Sequence, residues 1–123
     1  MPTAQVVTIT ENTFGSIKRI VWDWACTDGG AVVGSVTTAV FDGEILALVT
    51  VPDGGADAPT DNYDITIKDA NGVDLLAGQG ANRDTANAEY VTSGFIPVAQ
   101  SKLTLAISTA GDAKKGTVYL YIR

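Results

Sequence analysis

Catalysis needs nucleophiles, acids, bases or metal ligands at suitable spacing, and this chain offers few of them. It contains no histidine, which removes Ser-His-Asp and Cys-His catalysis, His-ligated zinc and the usual proton shuttle near neutral pH. Its single cysteine, Cys26, can form neither an intrachain disulfide nor a Cys-rich zinc centre, and it gives no sign of an oxidising compartment. The carboxylates remain. In VPDGGADAPTDNYD, Asp53, Asp57 and Asp61 stand among Gly and Pro, where short side chains that bond their own backbone are favoured. Turn chemistry therefore explains them better than the acid and base of a hydrolase.

Two loops invite closer comparison with ligand motifs. GQGANR has two glycines of a dinucleotide fingerprint, but Arg83 occupies the place of the third and no βαβ unit follows. An EF-hand loop starting at Asp69 would put Val73 where an oxygen ligand is required and Gly80 where the bidentate Glu belongs. A cation site of another kind, built from Asp69, Asn71 and Asp74, stays open beside the plainer reading, in which a DANG turn uses Asx residues for backbone reasons. In VWDWAC, Trp22 and Trp24 share a face with Ile20 and Cys26. That face is expected to be core or subunit interface, because exposing so much apolar area is costly; the alternative is the aromatic platform of a carbohydrate-binding module. No catalytic residue, cofactor-binding residue or metal ligand is assigned.

The elements that carry these residues have a period of two almost throughout. Strands are expected at Gln5 to Glu11, Ser16 to Thr27, Ala31 to Phe41 and Glu44 to Val51, with Asp42-Gly43 joining the last two as a type I′ hairpin. A second hairpin is predicted where Tyr63, Ile65 and Ile67 alternate with polar residues and DANG leads into VDLL. A weak strand, interrupted by Gly94 and Pro97, spans Tyr90 to Val98. Alternation at Leu103, Leu105 and Ile107, and again at Val118, Leu120 and Ile122, marks two more. About eight or nine short strands without an amphipathic helix predict an all-β fold, a two-sheet antiparallel sandwich or jelly roll.

With 123 residues the chain is expected to be one domain over 1–123, large enough to bury a core without staples. Its net charge of -6 repels phosphate backbones, so no direct nucleic-acid partner is expected. The start MPTAQVVTIT has no basic patch ahead of an apolar core, and the longest apolar run, ILALV, is far shorter than the roughly 20 residues that span a bilayer. Neither export by a signal peptide nor a membrane partner is expected.

Residues 77–89, AGQGANRDTANAE, make a connection longer than compact sandwiches normally use. Small residues mixed with Asn, Arg, Asp and Thr suit an interaction loop ordered by lying on a neighbour, or a mobile surface loop without one. The run YDITIKDANGVDLLAGQGANRDTANAE resembles a stretch of small β-rich proteins encoded among the structural genes of tailed bacteriophages and prophages. Tyr63, Asp64, Asp69, Gly72, Asp74, Leu76, Gly78, Gly80, Arg83, Asp84 and Asn87 fall in register with it, and it covers about a quarter of the chain. That resemblance implies a virion structural protein and no enzyme: a capsid decoration (cement) protein made in the bacterial cytoplasm, bound as a homotrimer to the major capsid protein on the outer capsid, and stabilising the shell by bridging capsomers. A tail, baseplate or head-to-tail connector protein is the nearest alternative.

The expected interface has two parts. The N-terminal segment, residues 1–13, would serve as an arm or exchanged strand through Val6, Val7 and Ile9. The 77–89 loop would supply register through Gln79, Asn82, Arg83, Asp84 and Asn87, with Arg83 either bridging oxygens of the capsid protein or pairing internally with Asp84 or Asp74. In the first case Arg83→Ala should weaken attachment and leave the melting temperature of the free protein nearly unchanged.

Overall fold

A computed structural model describes residues 3–123. It is all-β, with several antiparallel sheets. The strands are β1 (Val6–Phe14), β2 (Ile17–Ala25), β3 (Val32–Val36), β4 (Phe41–Gly43), β5 (Ile45–Pro52), β6 (Asp64–Lys68), β7 (Glu89–Val91), β8 (Val98–Ser101), β9 (Thr104–Ser108) and β10 (Lys115–Ile122). A single 3-10 turn, Gly55–Asp57, is the one helical element among the described residues. The strands form a five-stranded sheet ordered β1-β2-β10-β5-β7, a three-stranded sheet ordered β3-β9-β6, and a β4-β8 pair.

Alternation in the sequence becomes alternation in space. Ile20, Trp22, Trp24 and Cys26 are all buried while Asp23 between them is exposed. On β10 the buried residues are Val118, Leu120 and Ile122, and on β9 Leu105 and Ile107. Tyr63, Ile65 and Ile67 are buried along and just before β6. One cluster of buried residues draws on all three sheets, and the Trp24 and Tyr63 rings meet within it at 5.7 Å, tilted by 52°. Burial of each such large side chain stabilises the fold by about 1.5–3 kcal/mol.

The segment expected to act as an arm is, from Val6 onward, a strand paired with β2 over its whole length, from Val6↔Ala25 to Phe14↔Ile17; Met1 and Pro2 lie outside the described residues. Gly15, at φ 62, and Ser16 close this hairpin. Positive φ at the first turn position alone is the mark of a type II′ turn, whose twist matches that of the strands it joins. Side chains tie β1 to β3 and the segment that follows it. The Gln5 amide exchanges two hydrogen bonds with the Val33 backbone, at 2.8 and 2.9 Å. Both oxygens of Glu11 accept from the Thr38 and Ala39 N–H groups at 2.9 Å.

Two hairpins read from the sequence do not form. Asp42-Gly43 is no turn: it lies in β4, which pairs with β8, while β5 pairs with β10 and β7. The glycine serves close approach instead of chain reversal. Gly43 sits at φ 125 with the Arg123 carbonyl where a Cβ would stand, and Glu44 and Arg123 exchange both backbone bonds at 2.9 Å. The long strand expected up to Phe41 stops at Val36, since the Thr38 and Ala39 N–H groups go to Glu11 and the Thr37 hydroxyl bonds the Ala39 carbonyl. In the second case the DANG turn closes, with Gly72 N–H donating to the Asp69 carbonyl at 3.0 Å, but only a single Lys68↔Asp74 bridge follows. Leu75 and Leu76 are both buried, which no strand permits on one face, and β6 takes β9 as its ladder partner.

Candidate functional site

The 61–89 segment is built on carboxylates that serve backbone. Asp69 Oδ1 accepts from the N–H groups of Asn71 and Val73 at 2.9 and 3.0 Å. Asp74 Oδ1 accepts from Ile67 and Leu76, and its Oδ2 from Gly78 at 3.1 Å. Asp64 holds the Asn82 N–H at 2.9 Å, and Asp61 the Thr85 N–H at 3.2 Å. Charged acceptors of this kind make stronger hydrogen bonds than neutral ones. Asp69 and Asp74 thus turn their oxygens to N–H groups of their own segment, which is the turn reading of these residues.

Residues 74–83 then run irregularly along β6. Leu75 N–H donates to the Ile67 carbonyl, Ile65 N–H to Gly80 and Arg83 N–H to Tyr63, at 2.8, 2.8 and 2.7 Å. Gly80 makes this approach feasible, because a Cβ there would collide with the Ile65 carbonyl and crowd Leu76. Of the 77–89 stretch, expected as an interaction loop or a mobile surface loop, residues 77–83 therefore form an edge covering for β6, held by their own chain.

Arg83 folds inward. Its Nε and Nη2 donate to the Ala81 carbonyl at 3.2 and 3.1 Å, and its Nη1 lies 3.5 Å from Glu89 Oε1, with the arginine side chain only 13% exposed. The partner is thus Glu89, and neither Asp84 nor Asp74. Glu89 Oε1 also accepts the Asp84 N–H at 2.8 Å. Asp84 itself accepts from the Ala86 N–H and the Asn87 side-chain amide, bonds that hold its carboxyl below the usual carboxylate range. Gln79, Asn82 and Asn87 are exposed, and Asn82 occupies the left-handed region at φ 57 that Asn tolerates well. Of the strand residues, Val6 is exposed, while Val7 and Ile9 pack against the core. The two expected halves of the interface lie on different sheets, β1 at an edge of the five-stranded sheet and residues 79–83 along β6 at an edge of the three-stranded one.

Behind Arg83 lies a polar defect in the core. The Tyr63 hydroxyl and Thr50 Oγ1 are buried without a hydrogen-bond partner among the described residues, as are the indole nitrogens of Trp22 and Trp24. Burial pushes the Tyr63 phenol up to about 12, with the nearby Arg83 charge opposing the shift; Thr50 eases it slightly but makes no hydrogen bond of acceptable geometry. Both indoles lie in the core and offer no face to a sugar. Cys26 is buried as well. Its Sγ donates to the Gly111 carbonyl at 3.2 Å and accepts from the Lys114 N–H at 3.1 Å, and burial pushes its thiol up.

One open depression lies elsewhere, lined by Asp23, Val51, Pro52, Asp53, Lys115, Gly116 and Thr117. Lys115 is shared with Asp57 at 3.9 Å, so the depression sets one loosely paired amine beside carboxylates. Among the described residues no group of three or more His, Cys, Asp or Glu side chains converges to hold a metal ion, and no helix is long and apolar enough to cross a membrane. Glu11 and Glu89 were invisible as structural anchors in the sequence, because each acts on a segment far from it or irregular in period. Comparison with family models, with curated proteins and with solved structures finds no match.

Proposed function

We propose that the chain is a bacteriophage virion structural protein, a capsid decoration protein that binds the major capsid protein at the outer surface and stabilises the shell. The observation that carries this reading is the Tyr63–Asn87 segment. Its residues carry the resemblance to the phage-encoded pattern, and the carboxylates among them are spent on tying the segment into a margin of β6. A surface fixed in this way suits binding by shape, without an ordering cost on assembly. Gln79, Asn82 and Asn87, exposed along it, supply the amide groups that would meet the capsid.

We read the five-stranded and three-stranded sheets as the two layers of a sandwich, since inward residues of both meet in one core. In jelly-roll manner, the successive strands β9 and β10 fall in different sheets. The mechanism is mass action: copies that bind the assembled lattice better than free subunits raise the free energy needed to take it apart. Mixing the purified protein with undecorated shells should give saturable, stoichiometric attachment and a higher shell disruption temperature. Shells that remain bare at micromolar protein would refute the reading, and attachment to purified tails instead would move the protein to a tail or connector.

A further inference from the structure

We propose that two copies of this chain associate through β1, pairing antiparallel about a twofold axis at Thr10 so that their five-stranded sheets become one continuous sheet. The inference is independent of the virion reading. β1 is a sheet edge of nine residues, and its register with β2 has no bulge. Its sequence, VVTITENTF, holds neither Lys nor Pro. Natural sheets usually protect an exposed edge with those residues, an inward-pointing charge, a bulge or a covering segment, and the one such charge on β1, Glu11, is already engaged by the Thr38 and Ala39 N–H groups. The β6 edge of the three-stranded sheet is covered, by residues 74–83, whereas β1 has β2 as its one ladder partner among the described residues, and the 33–39 segment reaches it only through the Gln5 and Glu11 side chains.

The hairpin determines which backbone groups are free. Phe14 and Ile17 flank a two-residue turn and so exchange both of their hydrogen bonds. Alternation then directs Val6, Thr8, Thr10, Asn12 and Phe14 toward β2, and leaves Val7, Ile9, Glu11 and Thr13 with N–H and C=O groups pointing outward. An axis at Thr10, the centre of the strand, brings these free groups opposite one another: Ile9 meets Glu11 of the second copy and Val7 meets Thr13, giving about eight new backbone hydrogen bonds.

The side chains are self-complementary in the same register. Val6, 64% exposed, faces Phe14 of the second copy, 55% exposed, and the pair covers both. Thr8 faces Asn12, and Thr10 faces its own copy. Across the outer face each Thr8–Asn12 row begins at Asp23 and ends at Arg19 of the other copy, since these are their β2 partners. Opposite charges thus close each row, and the only acid of β1, Glu11, stands across from Ile9 and not from itself. The exposed Val33, Val36 and Val40 lie on the segment that Gln5 and Glu11 tie alongside β1 and extend the apolar margin. A closed ring joined edge to edge would instead have to pair β1 with β7, which has three residues.

Cross-linking tests the register. A non-hydrogen-bonded antiparallel pair sets its Cα atoms about 4.5 Å apart, within disulfide range. Oxidised Thr10→Cys should therefore give a covalent dimer on a non-reducing gel, with the native Cys26 buried and silent. Thr8→Cys should not cross-link to itself, because the two copies of that residue are about 13 Å apart along the strands, yet an equimolar mixture of Thr8→Cys and Asn12→Cys should. Sedimentation of the wild type should show a concentration-dependent dimer, weakened roughly five- to tenfold in Thr10→Lys, where like charges meet across the axis. A wild type that sediments as monomer or trimer, or Thr8→Cys cross-linking as readily as Thr10→Cys, would overturn the proposal.

Discussion

Replacing Arg83 by alanine separates a residue held by its own chain from one waiting for a partner. Two guanidinium nitrogens share the Ala81 carbonyl at 3.1 and 3.2 Å, counted as one hydrogen bond from a charged donor and worth about 1.5 kcal/mol. The contact with Glu89 at 3.5 Å joins side chains 13% and 34% exposed, so screening limits it to about 0.5 kcal/mol. Loss of the packed aliphatic stem adds a further ~0.5 kcal/mol. Together these give about 2–3 kcal/mol, which for a domain of this size lowers the melting temperature by about 10 °C. Thermal unfolding followed by circular dichroism measures it. A double-mutant cycle with Glu89→Gln should return a coupling near the ion-pair share alone, since Gln still accepts the Asp84 N–H. A melting temperature within about 1 °C of wild type would refute the inward-folded Arg83 and restore the expectation that this side chain reaches for another protein.

Further outcomes follow from the core. Tyr63→Phe removes a buried hydroxyl without a partner and should leave stability at neutral pH unchanged or raised by about 1 kcal/mol. It should also flatten the alkaline limb. With the folded phenol near 12 and the unfolded one at 10.0, the unfolded state releases its proton first, so wild-type stability is fully present below pH 10 and falls by about 2–3 kcal/mol as pH rises to 12; urea titrations across that range measure the difference. Gly80→Ala drives a Cβ into the Ile65 carbonyl and should cost about 2–3 kcal/mol in chemical denaturation, loosening amide exchange protection at Ile65. Cys26 should stay inert to a thiol reagent until the protein unfolds, because only the thiolate attacks and burial disfavours it; reaction with the native protein at the rate of a free thiol would contradict its buried position.

Side-chain periodicity carried most of the fold. It placed Ile20, Trp22, Trp24 and Cys26 on the buried face, and with them the inward residues of β6, β9 and β10, because a two-residue repeat reports directly on which face meets water. Pairing was far less legible. Asp42-Gly43 has the composition of a hairpin turn, yet a glycine needed for chain reversal and one needed for close approach to Arg123 look alike in sequence. Leu75 and Leu76 continued an apparent strand, but the three N–H groups captured by Asp74 turned that stretch into an irregular edge. In the candidate site the turn role of Asp69 and Asp74 was legible from their residue types, while the partner of Arg83 was not: Glu89 belongs to a three-residue strand with no periodic signal of its own.

The position of β10 in the five-stranded sheet bears on how the molecule is made. This strand follows the other nine described strands in the chain, and it lies between β2 and β5, which share no ladder of their own. On the ribosome the β1–β2 hairpin can close early, whereas the β5 side must wait with an open margin until β10 emerges and slots in between both flanks. Synthesis halted before β10 therefore leaves two sticky borders in place of a smaller folded unit, and such nascent chains should be clients of chaperones rather than soluble fragments.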